Sequence, residues 1–194
     1  MGWSGPYPTL CPKRPTASLV SRKVLTPLLG QIFLTFTLQL LVLKAVQSQP
    51  WYITPKVGVD KSKIANSENT ALFLVSTYQY ILAAVVLNVG PPYREKMSRN
   101  VPFVGVVAAA LGVSTWLVVY PGGWAMEVMQ LTWVSGDFKA LLLGLAAVGF
   151  GVSYWAEKNF FLRLAGLVGR VRRRVGGGDK KRKMWKVLER EMRM

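Results

Sequence analysis

The chain has 194 residues, 51% of them apolar and only 18% charged, with 25 Lys and Arg against 9 Asp and Glu. Zero His and a single Cys, Cys11, exclude zinc fingers, disulfide scaffolds, Cys/His nucleophile pairs and His-based acid/base catalysis. The apolar residues gather into runs long enough to cross a bilayer, with the charges between them, which excludes disorder and argues against a water-soluble core.

Residues 1 to 23 form a basic leader carrying Lys13, Arg14, Arg22 and Lys23. It does not read as a signal peptide, because the first apolar stretch comes only after Arg22 and Lys23. The opening MGWSGP fails the myristoylation pattern, since Pro6 stands where Ser or Thr is needed. No Asn is followed two places later by Ser or Thr, so there is no N-glycosylation acceptor.

Four uncharged runs follow: Val24 to Leu43 (20 residues), Ala71 to Val89 (19), Val101 to Tyr120 (20) and Ala140 to Ala156 (17). Each predicts a transmembrane helix. At 1.5 Å per residue the last reaches about 26 Å of a hydrocarbon layer about 30 Å thick, so Lys139 and Glu157 are expected to snorkel outward. Pro27 is expected in the first turn of the first span, where its missing N–H costs little. The fold class is therefore an all-α integral membrane bundle: a leader 1–23, a four-span bundle 24–157 and a basic tail 158–194.

Orientation follows from the loops. The leader carries four Lys or Arg, the second connection three (Arg94, Lys96, Arg99) and the tail from Lys158 thirteen, while the opposite side holds only Lys44, Lys56, Lys61, Lys63 and Lys139. The positive-inside rule then makes both termini cytosolic. Trp51, Tyr52, Tyr120, Trp124, Trp133, Tyr154 and Trp155 sit at the span ends, where amphipathic rings settle at a lipid interface.

Inside the spans the polar groups are few: Gln31 and Gln39 in the first, Tyr78, Gln79 and Tyr80 in the second. An ion pathway usually carries ionisable groups at mid-membrane, and these spans have none. The glutamines either line a route or hydrogen-bond across helix contacts, each bond worth about 0.6 kcal/mol. Small residues four apart, Gly105 with Ala109 and Ala108 with Gly112 in the third span, Ala140 with Gly144 and Ala147 with Gly151 in the fourth, form strips for close backbone packing. Gly and Ala are also simply common in membrane helices.

The tail carries Arg172, Arg173 and Arg174, a glycine hinge at Gly176 to Gly178, then Lys180, Lys181, Arg182, Lys183 and Lys186. Around these, Met184, Trp185, Leu188 and Met192 fall at helical spacing. Such a cluster contributes on the order of 1 kcal/mol per Lys or Arg beside an anionic leaflet, so anionic lipid headgroups are the expected contact. A solvated topogenic cluster is the plain alternative. Nucleic acid is not an expected partner of a chain anchored by four spans.

The strings PKRPTASLVSRKVL (Pro12 to Leu25), SQPWY, ENTALFLVSTYQY (Glu68 to Tyr80) and GPPYREKMSRNVPF (Gly90 to Phe103), in order and at matching spacing, resemble the C-terminal membrane part of the type V-B P-type ATPases. The likeness runs from about Tyr7 to the tail. It implies that Val24 to Ala156 corresponds to the seventh to tenth transmembrane helices, a support bundle beside the transport helices. It also implies a vacuolar, lysosomal or endosomal membrane, and a full-length pump driven by ATP and Mg²⁺ that moves polyamines or cations. The remaining transmembrane and cytosolic domains of that pump would be this chain's partners.

The sequence departs from the family in one large respect. No DKTGT phosphorylation loop, TGE motif, nucleotide-binding domain or proline-broken substrate helix occurs in it, and its only aspartates are Asp60, Asp137 and Asp179. No catalytic, cofactor or metal residue is carried over, because phosphoryl transfer needs an aspartyl nucleophile and Mg²⁺ ligands. The expectation is a non-catalytic support module, as a fragment or a paralogue. An independent four-span scaffold or adaptor is the alternative.

Overall fold

The computed structural model describes residues 21–52, 66–88 and 93–175, and among these it is helical with no strand. The long helices are α1 (Arg22–Gln47), α2 (Ser67–Val86), α3 (Val101–Val119) and α5 (Gly136–Trp155); α4 (Gly123–Val128) is a single short turn of helix in the α3–α5 connection. A π-helical turn, Ala156–Phe160, joins α5 without a break to α6 (Phe161–Val175). Four of these segments are long and apolar enough to cross a membrane. The chain is thus an all-α, multi-pass membrane protein.

Capping sets the starts. Asn66 accepts a hydrogen bond from the Asn69 N–H at 2.9 Å, so α2 begins at Ser67, four residues ahead of the apolar run that marks it in the sequence. Asn100 and Ser135 do the same for α3 and α5, accepting from Phe103 and Phe138 N–H, each at 3.3 Å. The cap at Ser135 starts the fourth span four residues ahead of its apolar run and gives α5 20 residues, so it is not short. Pro27 falls in the second turn of α1 rather than the first, because the helix begins at Arg22; membrane helices tolerate such a residue.

Four antiparallel passes put the start of α1, the end of α2, the start of α3 and the end of α5 at one end of the bundle, called here the near end. Packing is unequal along the axis. The core consists of Val42 and Val46 of α1, Ala71, Leu74, Val75 and Tyr78 of α2, Leu117 and Val118 of α3, and Phe138, Leu142 and Ala146 of α5. Almost all of it lies in the far half. In the near half Leu28, Leu29, Ile32, Phe33 and Phe36 of α1 and Val101, Val104 and Val106 of α3 face outward and are exposed.

The connection from Tyr120 to Ser135 folds over the far end. Ala125, Leu131 and Val134 are buried under it, and the Thr132 N–H and hydroxyl both bond to Thr70 Oγ1, at 2.9 and 3.0 Å. Gln130 takes a left-handed φ of 52° to make the turn. Lys139 turns its ammonium to the Val119 carbonyl at 3.1 Å, satisfying a helix-end acceptor of α3.

Beyond the π-helical turn, α6 runs alongside the first turns of α1. Phe161 and Ala165 are buried against it, while Leu162, Leu167 and Val171 stay exposed beside Arg163 and Arg170. The boundary drawn at 157/158 from the charge pattern therefore falls inside a continuous helix.

Candidate functional site

The polar side chains of the spans meet one another across helix contacts. Gln39 Nε2 donates to Gln79 Oε1 at 3.0 Å and to Ser76 Oγ at 3.2 Å, and Gln79 Nε2 donates to the Thr35 carbonyl at 3.1 Å. Tyr78 donates its hydroxyl to Thr115 Oγ1 at 2.9 Å, tying α2 to α3. Gln31 Nε2 bridges from α1 to the Ser153 carbonyl and to Glu157 Oε2, each at 3.1 Å. Helix-to-helix bonding, one of the two readings open for the glutamines, is present at all three. Gln31 and Gln79 also lie on the wall of a cavity, taken up below.

At the far end a second cluster clasps α1 to its neighbours. Tyr52 donates to Glu68 Oε1 at 2.5 Å, and Gln47 Nε2 donates to the same oxygen at 3.0 Å. That hydrogen bond, then desolvation and the negative charge of Glu68, push the Tyr52 phenol above its ordinary range. Trp51 packs edge-on to Trp133 and Phe138, with ring centroids 6.1 and 5.4 Å away, and donates its indole N–H to Ser135 Oγ at 3.1 Å. Of the aromatic residues expected at this end, Trp51 and Tyr52 are half-buried in the cluster, while Tyr120, Trp124 and Trp133 are exposed. Lys158 at the near end lies 5.6 Å from the Tyr154 ring centroid.

The small-residue strips have no counterpart inside the chain. Gly105, Ala108, Ala109 and Gly112 of α3 and Ala140, Gly144, Ala147 and Gly151 of α5 are all exposed, and a Cβ built on Gly105, Gly112, Gly144 or Gly151 would meet nothing within 4 Å. The glycines under close contact are two others. A Cβ on Gly149 would lie 2.6 Å from a Leu38 methyl, and one on Gly30 would overlap the Phe161 ring.

Arg172, Arg173 and Arg174 close α6, their side chains outside the description; Lys180, Lys181, Arg182, Lys183 and Lys186, with the glycine hinge and the helical spacing after it, lie outside the described residues. The far-end loop around Asp60 lies outside them too. No group of three or more His, Cys, Asp or Glu able to hold a metal occurs among the described residues.

Comparison with known proteins fits this architecture. The vacuolar cation-transporting ATPase YPK9 of Saccharomyces cerevisiae is 39% identical over 165 residues, covering 84% of this chain and 10% of its own length. The polyamine-transporting ATPase 13A2 is 34% identical over 158 residues in Mus musculus, covering 81% of this chain and 14% of its own, and 31% identical over 193 residues in Homo sapiens, covering 99% and 16%. The chain thus spans between a tenth and a sixth of the length of these relatives. No family profile matches it. An alignment that takes in all four membrane spans, at 31% identity or better to these relatives, places the chain in the type V P-type ATPase family, as a membrane region of such a pump.

Proposed function

We infer that the chain is the non-catalytic membrane support segment of an ATP-driven pump for polyamines or cations in an endomembrane, vacuolar or lysosomal. The alignment with 13A2 across 99% of the chain carries this reading. The structure supports it in a second way: the span interiors hold no charge, and their glutamines bond to one another, so the helices brace rather than conduct. Among the described residues no carboxylate cluster offers a place for ATP and Mg²⁺, which in this reading belong to other parts of the pump.

In this reading the near end faces the cytosol, as the distribution of Lys and Arg requires, and the outward strips of α3 and α5 receive other helices of the pump. The tail arginines and lysines lie against anionic headgroups of the same leaflet. The outward strips equally suit a free-standing scaffold, which is the second reading.

Co-expression separates the two. Tagged chain should co-purify with a YPK9 variant lacking the matching region, and Gly105→Leu with Gly144→Leu should abolish that recovery; a scaffold would not recognise the truncated pump. The chain alone should form no acid-stable acyl-phosphate from ATP. A glycosylation site inserted at Val59 should be modified, whereas modification in the tail would reverse the topology.

A further inference from the structure

A cavity of about 210 Å³ lies between α1, α2 and α5. It extends from Gln31 to Leu41 along α1, from Val86 back to Tyr78 on α2 and from Ser153 back to Leu145 on α5. Ten residues of helix make that about 15 Å, half of a hydrocarbon layer about 30 Å thick, and it lies in the leaflet at the near end. Its rim is formed by Leu41, Ala83, Val148 and Val152, all exposed, so it opens sideways between the spans.

The chemistry of the wall selects the occupant. Its two glutamines are already bonded, Gln31 to Ser153 and Glu157, Gln79 to Gln39 and the Thr35 carbonyl, so a water there would find few partners. No Asp or Glu lines it, so a polycation gains no counter-charge. A further helix, about 10 Å across, is too thick for the volume, whereas apolar cavities of about 150 Å³ already take a benzene ring. Left empty, the leucine and valine walls would forfeit their dispersion contacts on one side.

The geometry points to a lipid site: one acyl chain of a membrane phospholipid lies along the groove, its ester end beside Gln31 and Ser153 and its methyl end near Leu41 and Leu145. The acyl chain fills the space between the three helices and supplies the contacts that their facing walls lack.

The full chain, reconstituted in phosphatidylcholine vesicles with a trace of phospholipid bearing a mid-chain diazirine, tests this. After illumination and delipidation, label should concentrate on peptides carrying Leu38, Leu82 and Leu145, above the level on the exposed Val106 of α3. Ala83→Phe, which fills the rim from α2, should bring groove labelling down to that of α3, and Val148→Phe, from α5, should do the same without touching α2. Labelling of the groove no stronger than of α3, or labelling that survives both variants, would overturn the proposal. Displacement of the label by spermine would also overturn it, in favour of a cation.

Discussion

The ring of Phe161 lies directly on the backbone of Gly30, so the helix after the π-helical turn is seated on the start of α1 through the one position where α1 has no side chain. Gly30→Ala should therefore lower the stability of the detergent-solubilised chain by about 1–3 kcal/mol, since the new methyl and the ring claim the same space. Gly144→Ala, on an open face, should be neutral or stabilising by up to about 1 kcal/mol through helix propensity. Thermal unfolding followed by circular dichroism checks the pair; equal effects would remove the special role of Gly30.

The uneven core makes a second contrast. Phe138 is 1% exposed in the far half and Phe33 is 67% exposed in the near half. Phe138→Ala should cost about 3–5 kcal/mol, while Phe33→Ala should leave the isolated chain within about 0.5 kcal/mol of the parent. Limited proteolysis in detergent gives the ranking.

Gln79 both accepts from Gln39 and donates to the Thr35 carbonyl. Gln79→Leu should lose about 1 kcal/mol, near two membrane hydrogen bonds of about 0.6 kcal/mol each. Gln39→Leu combined with it should add less than its separate effect, because the two share a bond. A double-mutant cycle on steric-trap or denaturant unfolding reads the coupling directly.

The far-end clasp predicts a response to alkali. Tyr52 has a raised phenol, so its neutral form contributes stability that is fully present below the ordinary value near 10 and is lost as pH rises through the folded one. A difference titration at the phenolate absorption band, parent minus Tyr52→Phe, should show a step above 10, and Glu68→Gln should move that step back toward the ordinary value. A step at the ordinary value in the parent would mean that the Tyr52–Glu68 bond does not persist in solution.

The four spans were legible because uncharged runs of 17 to 20 residues have few alternatives to crossing a bilayer. Their ends were less so: Asn66 and Ser135 extend α2 and α5 beyond the apolar runs by capping, and no hydropathy window weighs a single hydrogen bond. The close contacts were not legible. Small residues four apart drew attention to Gly105 and Gly144, while the tight approaches occur at Gly30 and Gly149, single glycines facing one large side chain, a pairing visible only once the helices are placed. The glutamine bonds were within reach of the sequence as one of two options, since uncharged amides in hydrocarbon need partners. Reading Lys158 onward as a tail followed its charge; the continuation into α6 depends on Phe161 and Ala165, whose apolar spacing is interleaved with arginines.

The π-helical turn sets the angular phase of all that follows it. The Phe161 N–H reaches back five residues to the Ala156 carbonyl, which accommodates one residue more than regular winding would hold. Because the wider turn absorbs that extra residue, removing one of the five would let the joint close to regular winding with Phe161 still near Gly30, whereas a further residue added beside it, at about 100° per residue, would swing Phe161 more than a quarter turn away and carry Arg163 and Arg170 round with it. Lengthening this joint by one residue should thus be more disruptive than shortening it, because only the addition changes the direction in which a whole basic helix is aimed.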